Sequence, residues 1–154
     1  MNSSVIVDLV YADRVSLPSA LALAEFSGLA DHTKLLPFVQ TSTKELDVCI
    51  QFNLALIDEG PVQSLLFVPW KLSHFKAITL DAQQLTTPEN HAWAVTCLEN
   101  HDLARSVSRF GSDALEWRVP SAKMLAIYLL TLSGTPIIYQ GGEFQHHSPP
   151  EHKI

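Results

Sequence analysis

Apolar and polar positions along the chain fall into two alternating patterns. Four short runs, "ALALAEF" (20–26), "LDVCIQF" (46–52), "AWAVTCL" (92–98) and "TPIIYQG" (135–141), are nearly continuous in apolar residues. They lack the every-other-residue alternation of a strand with one wet face, which predicts buried strands in a parallel sheet covered on both sides. Helix-length segments lie between them. "DHTKLLPFVQ" (31–40) is a Pro-interrupted helix, and "WKLSHFKAITLDAQQL" (70–85) carries Leu72, Phe75, Ile78 and Leu85 at helical spacing with Ser73 as its cap. "VPSAKMLAIYLLTLSG" (119–134) has the strongest signal, with Pro120 in its first turn and Gly134 placed to stop it. The predicted order is β-α-β-α-β-α-β, and crossover helices require the strands to be parallel. Residues 1–18 show no clear periodicity, and the polar, Pro-rich "QHHSPPEHKI" (145–154) reads as a frayed end.

Candidate chemistry collects where the apolar runs stop. Glu25 sits at the end of the first run, Asn100-His101-Asp102 follow the third, and Glu143 follows the fourth. In α/β folds the carboxyl ends of parallel strands are where pockets form. Taken alone, "ENHDLAR" is also what a polar strand-to-helix turn looks like.

Composition narrows the function classes. With 154 residues, 47% hydrophobic and 17% charged, the chain is long enough for one domain with a sizeable core. A net charge of −6 and ten scattered Lys and Arg argue against nucleic acid and anionic membrane surfaces as partners. Cys49 and Cys97 lie inside apolar runs and read as small buried hydrophobes. The start has no cationic segment before an apolar one, and the longest apolar stretch is broken by Gly134 and Pro136. A soluble, cytoplasmic protein is the expectation. His146, His147 and His152 have no rigid element or companion ligands, so no metal and no cofactor is expected.

"LENHDLARSVSRFGSDALEWRVPSAKMLAIYLLTLSGTPIIYQGGEF" (98–144) resembles the second half of the catalytic barrel of glycoside hydrolase family 13, the α-amylase superfamily. The α-glucosidase and maltase–isomaltase type, as found in fungi, is the most similar. The residues that carry the likeness are Glu99 through Asp102 with Arg105, then Ser108-Arg109-Phe110, then Gly134-Thr135-Pro136 and Tyr139-Gln140-Gly141 up to Glu143. Upstream, "KELDVCIQF" (44–52) resembles an earlier barrel strand, and Glu25, 22 residues before Asp47, falls where the family has its acid/base Glu. The resemblance covers residues 19–144 and implies strands five to eight of a (β/α)8 TIM barrel, after an unassigned segment 1–18 and before a divergent tail 145–154.

Several positions depart from the family pattern. Ala24 replaces a Gly before the acid/base Glu, Leu103 stands where Gln is common, and Asn53-Leu54 replace more acidic or His-bearing residues. The strand motif that bears the family's nucleophilic Asp is absent. Asp8 has no Arg two residues before it and lies 17 residues from Glu25, so the expectation is no nucleophile in this chain.

The resemblance implies retaining hydrolysis of α-glucosidic bonds in maltose-like oligosaccharides. This reaction uses two carboxyl groups about 5–5.5 Å apart on opposite sides of the anomeric carbon. Glu25 would be the general acid/base. Asp102 would stabilise the oxocarbenium-like transition state, and His101 would bind a neighbouring sugar hydroxyl. Asn100, Arg105 and Arg109 would support them, with Arg105 or Arg109 keeping Asp102 ionised by proximity. Glu143 is read as structural. The expectation is a fragment of an α-glucosidase, inactive alone, that self-associates through open barrel edges. The competing readings are a non-catalytic carbohydrate-binding remnant and a hydrolase-like interaction subunit.

Overall fold

The computed structural model describes residues 6–10, 22–27, 31–43, 45–59 and 68–142. Five strands form one sheet in sequence order: β1 (Ile6–Val10), β2 (Leu23–Ser27), β3 (Val48–Gln51), β4 (Ala94–Thr96) and β5 (Thr135–Pro136). The helices are α1 (His32–Val39), α2 (Leu72–Gln84), the short α3 (Ser106–Phe110) and α4 (Leu115–Thr131). Strands β2 to β5 are mutually parallel, as the apolar runs predict, with Glu25 level with Ile50 and Ile50 level with Val95.

The segment 1–18, unassigned from the sequence, contributes a strand. β1 pairs antiparallel with β2 and places Asp8 at the register position opposite Glu25. One outer edge that a bare four-stranded sheet would leave open is therefore covered. Two helix readings are corrected. Lys71, not Ser73, is the N-cap of α2. α4 begins four residues before the predicted start, so Pro120 lies inside it as its sixth residue rather than in its first turn. At its other end, Gly134 has φ +116°, and a β-carbon there would stand 2.6 Å from the Ala94 carbonyl oxygen. Only glycine fits both demands.

Alternate residues of each strand point to opposite faces, and two packed layers result. On the helix side, Ala24, Phe26, Cys49 and Ala94 meet Leu35 and Val39 of α1 and Leu85 just after α2. Leu35 and Leu85 are fully buried, each worth roughly 1.5–3 kcal/mol. The opposite, inner face carries Val48, Ile50, Val95 and Cys97, with Leu23 and Leu103 packed against them. Burial alone pushes the Cys49 thiol up to about 12, consistent with its reading as a buried hydrophobe.

Side chains tie the helices together as well. Asp31 caps α1 by accepting the Lys34 N–H at 3.2 Å. Asp81 of α2 reaches the same helix start, taking the His32 N–H at 3.0 Å while its other oxygen lies 2.6 Å from His32 Nδ1. Trp70, Phe75, Phe110 and Tyr128 form a ring cluster with centroids 5.2–6.0 Å apart, which locks α2, α3 and α4. Around it pack Leu98, Val107, Ala122, Leu125 and Leu129.

Candidate active site

Each candidate residue inherits its place from the sheet. Glu25 is the third residue of β2, half-buried on the face shared with Leu23. Its negative charge reaches β4. Burial first, and the Glu25 charge second, push the Cys97 thiol up to about 12, with Arg109 opposing. Two strands further along, β4 ends at Thr96, and the chain turns through Glu99–Asp102 before α3 begins.

That turn is held from below by Glu99, which is buried. One Glu99 oxygen accepts the Ser106 N–H at the start of α3, and the other accepts from Arg105 Nη1 at 3.2 Å. The same guanidinium donates to the Gln140 carbonyl at 2.8 Å and lies over the Tyr139 ring at 4.7 Å. Above the clamp, Asn100 Oδ1 accepts the Asp102 N–H at 3.0 Å, a local turn that suits an Asn at this position. His101 and Asp102 then project together, with Nε2 3.4 Å from Oδ2 and both side chains 75% exposed. A polar contact this open is worth little by itself. Their prominence rests on the turn that presents them.

Arg105 pairs with Glu99 and Arg109 with Asp58. Arg109 donates through Nε to Asp58 Oδ2 at 2.9 Å and through Nη2 to Asp58 Oδ1 and the Ala55 carbonyl. Sequence reasoning missed Asp58 and its neighbour Glu59. Burial raises the Glu59 carboxyl above its usual range, Arg109 pulls it back, and the charges of Asp58 and Asp102 push it up further. Glu59 thus stands within electrostatic reach of Asp102. The signal available in sequence was the pair of acids closing the apolar "LALI" (54–57) after β3.

The structure therefore brings Asn100, His101, Asp102 and Arg105 onto one loop. It sets Arg109 beneath that loop and Glu25 on the inner face two strands away. Glu143 and the three tail histidines lie outside the described residues. Among the described residues no group of three or more His, Cys, Asp or Glu is arranged to hold a metal ion.

Comparison with known proteins decides the family. The model of the α-amylase catalytic domain matches residues 10–152. The chain belongs to the α-amylase catalytic-domain family. It is similar to oligo-1,6-glucosidase IMA5 of Saccharomyces cerevisiae, 42% identical over 107 residues that cover 68% of this chain and 18% of that enzyme. The oligo-1,6-glucosidase of Parageobacillus thermoglucosidasius is 37% identical over 80% of this chain and 21% of its own length. Among solved structures, an inactive double mutant of MutB in complex with isomaltulose superposes with a TM-score of 0.78 at 33% identity. That match covers 85% of this chain and 23% of MutB. The chain thus spans about a fifth of the length of the relatives it matches. Its α-amylase-type relatives are TIM barrels, and the four parallel strands with their helices form part of such a barrel.

Proposed function

We propose that this chain carries the acid/base and sugar-gripping part of an α-glucosidase-type site acting on α-glucosidic bonds of maltose-like oligosaccharides. The observation that carries this reading is the Glu99–Arg105 clamp, which presents His101 and Asp102 at the carboxyl end of β4 on a sheet whose β2 bears Glu25. The names of the relatives, oligo-1,6-glucosidase among them, support the substrate class.

In this reading, Glu25 protonates the leaving oxygen and later activates water. Asp102 opposes the positive charge that grows at the anomeric carbon, and His101 donates to a ring hydroxyl. A retaining mechanism also needs a nucleophilic carboxylate, and no residue of the chain matches the family's nucleophile motif. The isolated chain is therefore a sugar binder without turnover. Titration with maltose is expected to move the amide resonances of residues 100–102, and Asp102→Asn is expected to abolish that response. Hydrolysis of a nitrophenyl α-glucoside is expected to stay at background. A silent 100–102 loop contradicts the reading, while genuine turnover would make Asp8, opposite Glu25, the first carboxylate to replace.

Self-association is part of the same proposal. Among the described residues β5 is the last strand of the sheet, and Trp117, Met124, Ile127 and Leu130 of α4, and Ile138 after β5, are exposed. An uncovered strand edge next to apolar surface favours pairing with another chain.

A further inference from the structure

At the opposite end of the sheet from His101 and Asp102 lies an open cavity, more surface cleft than enclosed pocket, of about 430 Å³, built by the segments that precede β3 and β4. Its volume falls in the range of small-molecule sites. The floor is apolar and buried, formed by Val39, Leu46 and Ala92. One wall is the Trp93 side chain, which is 49% exposed. Its indole N–H donates to Thr135 Oγ1 at 2.9 Å, so the ring is held in one orientation. Thr87, Asp47 and His91 stand around the opening.

The rim is also fixed. The His91 carbonyl accepts from both the Thr41 hydroxyl, at 2.7 Å, and the Thr41 N–H, at 3.2 Å, which ties the loop after α1 to the loop after α2. His91 makes this contact with φ +47°, and among the described residues it is the sole non-glycine with positive φ. A left-handed residue without glycine costs energy that the surroundings must offset, and such residues gather at ligand-binding places. On the far side, Asp47 Oδ2 accepts the Ala22 N–H at 2.7 Å and is anchored in turn.

A half-exposed, oriented indole beside an apolar floor, with hydroxyl, carboxylate and imidazole groups at the opening, matches one ligand chemistry closely. A pyranose ring offers a face of C–H groups to an aromatic plane and a rim of hydroxyls to polar side chains. We infer that this cavity is a second carbohydrate site, taking a glucose unit of an α-glucoside against Trp93 while Asp47, Thr87 and His91 receive its hydroxyls. The choice of sugar rests on the function proposed above; the cavity and its aromatic wall do not. Binding there is non-catalytic, because the cavity lies at the amino ends of the strands, away from Glu25 and Asp102.

The test uses the 154-residue chain and maltose, followed by amide and indole resonances across the titration. The expected result is saturable movement of the Trp93 indole N–H and the His91 and Thr87 amides at millimolar maltose. Asp102→Asn should leave it unchanged, and Trp93→Ala should weaken it at least tenfold. A second variant, Thr87→Trp, fills the cavity from a half-buried rim position and should also abolish the response without removing Trp93. Sorbitol, which has hydroxyls but no ring, should not compete. No movement at these resonances overturns the inference, as does movement that survives both Trp93→Ala and Thr87→Trp. Because the 100–102 amides are read in the same titration, loss of the proposed active-site response and loss of this one are told apart.

Discussion

Arg109 and Asp58, 51 positions apart in sequence, form an ion pair with side chains only 8% and 5% exposed. The guanidinium also donates to the Ala55 carbonyl and, at 3.5 Å, to that of Leu98, so one side chain ties the loop after β3 to the end of β4 from its seat on α3. Taking two charges out of water is costly, and pairing with hydrogen bonds offsets much of that cost. Removing one partner should therefore do more harm than removing both. Arg109→Ala or Asp58→Ala is expected to lose about 3–5 kcal/mol in denaturant unfolding, whereas Asp58→Leu with Arg109→Met should recover most of it. A double variant whose loss equals the sum of the two single losses would show that the pair is not coupled.

Gln51 presents the reverse case. It is buried on β3, and among the described residues neither its amide nitrogen nor its amide oxygen has a hydrogen-bond partner. An unsatisfied buried amide costs about 1–3 kcal/mol. Gln51→Leu is expected to raise the urea midpoint with an unchanged slope. A lower midpoint would mean that the amide is satisfied in solution.

Glu59 gives the fold a pH dependence of known sign. Its carboxyl is raised in the folded state, chiefly by burial, so the fold binds this proton more tightly than the unfolded chain does. The favourable contribution is fully present below the ordinary Glu value of about 4.3 and is lost as pH rises through the raised value. Glu59→Gln should therefore stabilise the chain at neutral pH by less than about 1 kcal/mol, since solvent screens a partly exposed charge. The gain should shrink to nothing in melts below about pH 4.

The uncovered apolar surface predicts concentration-dependent behaviour. Light scattering is expected to show association that Ile127→Glu reduces, because this position is exposed on α4 and a charge there opposes burial. A monomer at every concentration would remove the proposed contact.

Much of this architecture was legible in the sequence. The four continuous apolar runs gave the parallel strands, and β3 and β4 are buried at every position, which removes alternation and leaves a plain signal; β5 is not, since Thr135 is exposed and Pro136 half-buried. β1 was hidden because five residues, Ile6–Val10, with Asp8 at their centre make too short a pattern, and what fixes them is pairing with β2. The start of α4 was misjudged because Pro120 looks like a first-turn residue, yet the helix runs through it. At the site, the Glu99-to-Arg105 stretch was readable since its partners are near in sequence. The Asp58–Arg109 pair was not, since nothing local joins two residues brought together only by the crossover between β3 and β4.

The central claim is that Asp102, presented by the Glu99 clamp, grips the sugar of an α-glucosidase-type site. The most direct test exchanges residues 19–144 for the matching segment of the Saccharomyces cerevisiae oligo-1,6-glucosidase, so that a nucleophile and the remaining barrel are supplied. Hydrolysis of an α-glucoside by this chimera is then measured with and without Asp102→Asn, alongside a melt to show that both fold. The account predicts an active chimera that loses at least about a hundredfold in kcat/KM with Asp102→Asn while its Tm is unchanged. An active chimera indifferent to that substitution would contradict it.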